Sequence, residues 1–99
     1  MTSILNQLNF IDCQKSADMN NSSGIFQVGF CYYHGIGVEM DKHQAFVHYR
    51  KLAEMNNSYG IFKTAICYYY GIGVEKNINK YFVLSKSMKK IYSKFFCNI

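Results

Sequence analysis

The chain has no proline and no tryptophan among its 99 residues. Without proline, nothing forces a helix to stop except glycine, asparagine and capping chemistry, so helices are favoured. Long apolar runs are also missing. No stretch approaches the roughly 18 to 20 uninterrupted apolar residues that cross a bilayer, and the opening MTSILNQLNF lacks a basic segment followed by a long apolar core. These absences predict an unexported, soluble, cytoplasmic protein. No Cys-x-x-Cys pair occurs, which removes the commonest zinc and redox spacings although Cys13, Cys31, Cys67 and Cys97 are present.

What is present is half hydrophobic, rich in tyrosine and phenylalanine, and long enough for one compact domain but not two. The formal charge of +5 is unevenly placed. Through Asn79 there are six basic and six acidic residues, and the other five lysines all follow. Such a charge describes one terminal segment, so composition does not argue for nucleic-acid binding.

The most informative feature is a phrase spelled twice: CYYHGIGVE at 31–39 and CYYYGIGVE at 67–75. A shift of 36 residues aligns KSADMNNSSGIFQVGFCYYHGIGVE with KLAEMNNSYGIFKTAICYYYGIGVE. The register also runs through Phe10-Ile11, Phe46-Val47 and Phe82-Val83. Two full copies therefore follow a half copy, and a period of this length is the signature of solenoid units that bury their apolar faces only by stacking. The expected boundaries within a single domain are a half repeat at 1–20, repeats at 21–56 and 57–92, and a tail at 93–99.

Each unit reads as two helices. Ser22 to His34 carries closely spaced apolar residues, with Ser22 placed to cap it and Gly35 to end it. Asp41 followed by Gln44 has the form of a capping box, and Ala45, Phe46, Tyr49, Leu52 and Ala53 then share one helical face. The second copy repeats this pattern as helix A, Ser58 to Tyr70, and helix B, Asn77 to Met88, with Asn77 as cap. The half copy is a helix B from about Ile4 to Asp18.

The glycines Gly35, Gly37, Gly71 and Gly73 are read as interhelical turns. A left-handed residue after the last turn of a helix favours glycine. A phosphate loop would need a preceding strand, a lysine and a hydroxyl residue, whereas Val38-Glu39 follows here.

These residues carry a resemblance. The unit resembles the Sel-1-like repeat, a relative of the tetratricopeptide repeat, through Val28, Gly29, Tyr32, Gly35, Gly37, Val38, Asp41, Ala45, Tyr49, Lys51, Ala53 and Glu54. It departs from that pattern at Gly24, His48 and Gln44 in the first copy. In the second it departs at Thr64, Ala65, Asn77 and Tyr81. The resemblance implies an all-α fold, a short right-handed superhelix of antiparallel helix pairs, used as a noncatalytic adaptor or scaffold for other proteins or peptides. On this model Gly29 and Ala65 let helices A and B approach closely while the tyrosines and phenylalanines, Tyr32 and Tyr68 among the packing residues, fill the gaps between units. Candidate partner-binding positions are Gln27, Tyr33, Lys63, Tyr69 and Tyr70, because desolvated aromatic side chains carry large binding energies.

Other chemistry is weaker. Cys31 and Cys67 hold equivalent positions and are expected to pack as reduced, structural thiols. A Cys31 and His34 nucleophile pair is the best enzyme hypothesis, but its copy is Cys67 and Tyr70, and no orienting third group can be named. His43 and His48 share no helical face. No enzymatic activity, metal or cofactor is expected.

The segment from Lys80 to Ile99 leaves two readings open. Leu84, Met88, Ile91 and Phe95 form a stripe, and Lys86, Lys89, Lys90 and Lys94 occupy the rest. The stripe is read first as the helix B face that covers the second repeat. The alternative is a basic amphipathic helix acting on a membrane surface through residues 80–99. Repeat arrays usually need polar end caps, so self-association through open ends is a further expectation.

Overall fold

A computed structural model describes residues 3–96, with side chains described through Met88. Five helices follow one another: α1 (Ile4–Asp18), α2 (Ser22–His34), α3 (Lys42–Glu54), α4 (Ser58–Tyr70) and α5 (Ile78–Phe96). No strand occurs among the described residues. Each helix packs against its neighbours in the chain, so α3 lies between α2 and α4. The molecule is elongated, 46 × 30 × 20 Å.

Side-chain meetings fix the directions. Lys42 meets Tyr33 near the start of α3 and the end of α2, while farther along Gly29 of α2 faces Tyr49 of α3. The two helices therefore run antiparallel. The same holds for α3 and α4, where Phe46 meets Tyr68 and Leu52 meets Gly60.

Local chemistry explains the helix boundaries. Asp41 accepts from the Gln44 backbone N–H at 3.1 Å, and Asn77 accepts from that of Lys80 at 3.0 Å. These bonds satisfy donors that the first turn leaves open. The Asp41 N–H bonds the Tyr32 carbonyl rather than a Gln44 side chain, so the reciprocal half of the box is not made. Helix α2 is capped by Asn21, whose side chain accepts from the Ser23 N–H; Ser22 is already inside the helix. Asn57 does the same for α4. Asparagine wins because its carbonyl reaches the orphan donors from the extended residue just outside the helix. Helix α5 continues past Met88 to Phe96.

Gly35 and Gly71 end α2 and α4 in the left-handed region, at φ 69° and 70°. The N–H of Gly35 and that of Ile36 both reach back to the Cys31 carbonyl, and the second copy does the same at Cys67. Gly37 and Gly73 are also left-handed, and they do more than turn the chain. A Cβ on Gly37 would collide with the Asn6 carbonyl of α1, and one on Gly73 with the Lys42 carbonyl of α3. The loop thus rests on the first turn of the preceding helix B. His43 secures the second of these contacts by donating from Nδ1 to the Gly73 carbonyl at 2.8 Å.

The core is a continuous line of repeated contacts. Tyr49, Ile25, Leu52 and Val28 are fully buried. Phe10 meets Tyr32 edge-on at 5.3 Å, and 36 residues later Phe46 meets Tyr68 at the same 5.3 Å. Such pairs add to burial because the positive ring edge faces the negative ring face. Gly29 is buried with Tyr49 Cε1 3.0 Å from where a Cβ would stand, and Ala65 is buried at the equivalent place. The closest helix approaches occur elsewhere, at Gly24 and Gly60. A Cβ on Gly24 would stand 2.6 Å from the Ala17 backbone nitrogen, and one on Gly60 2.6 Å from that of Ala53. Each of these glycines sets its helix A against the preceding helix B.

Candidate interaction surface

Helices α2 and α4 present a surface of aromatic rings with few charges. Neither contains an Asp or Glu, and the residues of fixed charge in the two together amount to Lys63. Tyr59 bridges the units: its ring meets Phe26 edge-on at 4.5 Å and lies 6.3 Å from Tyr49. Phe26 in turn lies beside Phe30, whose ring meets that of His34 at a tilt, 4.3 Å away.

Two lysines converge on this surface. Lys42 Nζ stands 3.5 Å from the centre of the Tyr33 ring and donates to the Tyr33 carbonyl at 3.1 Å. Lys63 Nζ is 5.7 Å from the same ring, 5.6 Å from Tyr59 and 6.0 Å from Tyr49. An ammonium within about 6 Å of a ring face is attracted by its quadrupole. The described ion pair lies elsewhere, between Arg50 and Glu54 on the exposed side of α3.

The predicted contact residues thus fall into two groups and an outlier. Tyr33 and Lys63 come together. Tyr69 and Tyr70 form a second group at the end of α4, exposed and 4.8 Å apart, with Tyr81 of α5 4.9 Å from Tyr69. Gln27 is exposed, but its side-chain carbonyl accepts a bond from Cys13 Sγ of α1 at 2.8 Å. Lys42 and Tyr59 belong to the first group and were not among the sequence candidates. The signal for Tyr59 was its place in the otherwise copied MNNS-x-GIF segment, where the first copy has Ser23.

Two of the grooves on the described surface involve α2 and α4. One of about 270 Å³ is lined by Phe26, Gln27, Phe30, Cys31 and Ile36. The larger, about 500 Å³, lies between α3, α4 and α5 and is lined by Arg50, Ala53, Glu54, Thr64, Tyr68, Lys80, Val83 and Leu84. Thr64 at its floor is satisfied by donating to the Gly60 carbonyl at 2.7 Å.

Burial outweighs any activating charge at the described thiols. Burial pushes the Cys31 thiol up, and it pushes Cys67 up to about 11 despite the nearby Lys63 and Lys42. A cysteine nucleophile needs the opposite shift. His34 is held against Phe30 and Tyr33 rather than poised beside a base or acid. No group of three His, Cys, Asp or Glu side chains converges among the described residues. Among them, too, no helix is long and apolar enough to cross a membrane.

Paired antiparallel helices repeated every 36 residues, with left-handed glycines at each bend from helix A to helix B, define a tetratricopeptide-like solenoid. The family model of the Sel1 repeat matches residues 22–57 and 58–80, and the chain belongs to that family. A solved structure agrees: that of a protective antigen present in uropathogenic Escherichia coli strains and displaying an SLR fold. It superposes with a TM-score of 0.81 at 28% identity over 85% of this chain. The chain spans 18% of that protein's length. No curated protein matches the sequence.

Proposed function

We propose that the chain is a noncatalytic module that binds other proteins or peptides, as an adaptor or scaffold, through the face formed by α2 and α4. The observation that carries this is Tyr69 and Tyr70, large amphipathic side chains left 41% and 66% exposed at the end of α4. Aromatic anchors of this kind contribute strongly when a partner desolvates them. The test is affinity capture from cell extract with the full chain and with a Tyr69→Ser, Tyr70→Ser double variant of unchanged melting temperature. A partner held by the parent and lost by the variant is expected. Equal capture by both would remove this face from the function.

Self-association belongs to the same proposal. Ile4, Leu5, Leu8 and Ile11 on α1 and Phe62 and Phe82 at the opposite end are exposed apolar residues. Sedimentation as a stable 11.5 kDa monomer would count against it.

A second reading places α5 on a membrane surface. It is supported by the segregation of apolar and basic residues on α5, stronger than on the other four helices. Side chains of Ile91, Phe95, Lys89, Lys90 and Lys94 lie outside those described. Failure of the full chain to bind phosphatidylserine vesicles would eliminate this reading.

A further inference from the structure

We propose that Lys42 and Lys63, gathered around the Tyr33 ring, form a seat for carboxylate side chains of an acidic peptide segment laid across α2 and α4. This rests on the interaction-module reading and names the chemistry of its partner.

The first ground is geometric. Two ammonium groups from different helices stand within 6 Å of one ring centre, and neither takes part in an ion pair among the described residues. Their mutual repulsion is softened by the rings but not cancelled, since ring quadrupoles are weaker than a full counter-charge.

The second ground is charge distribution. The six acidic residues lie on α1, on α3 and in the segments bordering it and following α4. The nearest in sequence, Asp41, keeps its charge at the start of α3, where it caps the Gln44 N–H and forms no described ion pair with either lysine. The buried Cys67 thiol, held neutral up to about pH 11, supplies no negative charge either. A surface that is cationic, aromatic and free of carboxylates on its two helices complements a segment alternating acidic and aromatic residues.

The probe is a short fluorescein-labelled peptide alternating Glu and Tyr, titrated into the full chain by fluorescence anisotropy beside its Gln-for-Glu counterpart. The Glu peptide should bind roughly tenfold tighter, the effect of a charged hydrogen bond, and should weaken as salt rises. Lys63→Gln should abolish that preference, and since Gln27 stands at the equivalent place in the first unit, the variant should keep its melting temperature. Lys42→Met should reduce it. Equal binding of both peptides, or an unchanged preference in both variants, overturns the seat even if Tyr69 and Tyr70 still capture a partner. Lysine-dependent binding of phosphatidylserine vesicles without any binding of the Glu peptide would overturn it too.

Discussion

The two repeats place the same side chains in unequal surroundings. Phe46 in the first is 3% exposed beneath Tyr68 of the following helix A, whereas its copy Phe82 is 56% exposed. Phe26 is half-buried under Tyr59, but its copy Phe62 is open. No helix A follows α5 among the described residues. Burial in this fold is therefore supplied by the next unit rather than by the unit that owns the residue, as expected of a stack with nearest-neighbour coupling.

The largest test of that contrast is Phe46→Ala, which should cost ~3–5 kcal/mol in urea denaturation, against less than about 1 kcal/mol for Phe82→Ala. Equal losses would mean that α5 is buried by something else. Next comes Gly60→Ala, where the new Cβ meets backbone on α3. Overpacking of this kind should cost about 1–3 kcal/mol. Gly29→Ala should cost less than Gly60→Ala, because alanine gains about 0.5–1 kcal/mol in helix propensity and the new Cβ meets the Tyr49 ring edge and the His48 Cβ rather than backbone. Ala65 already occupies that place in the second unit. Gly29→Leu, which must displace Tyr49, should destabilise. Asp41→Ala should cost about 1 kcal/mol through the lost cap.

The smallest effect is one of pH. The Cys67 thiol ionises from about 9 when unfolded and is held neutral by burial to about 11 when folded. Its contribution to stability is fully present below pH 9 and is lost as pH rises toward 11. A Cys67→Ala variant should show a flatter decline over that window in chemical denaturation.

Much of the fold was legible in the sequence because the 36-residue register marks every helix by its copy. Asn77 is legible as a cap, but the Asn21 cap is not, because Asn20-Asn21 and Ser22-Ser23 offer several capping side chains in a row and only the extended backbone at Asn21 selects among them. Gly24 reads as a departure from the repeat pattern, yet it marks a crossing as close as that of its copy Gly60; distance between helices leaves no trace in a single sequence beyond a small residue. The pairing of Lys42 with Tyr33 was likewise hidden. It joins the end of one helix to the start of the next, and only the course of the intervening loop brings them together.

Gly37 and Gly73 carry a consequence beyond the hairpin that contains them. Because each bend touches the first turn of the preceding helix B, the bend acts as a spacer that fixes the step from one hairpin to its successor. A side chain there would widen that step. In a longer stack the small offset would accumulate with every unit, so these two positions govern the curvature of an array more than the soundness of any one pair of helices.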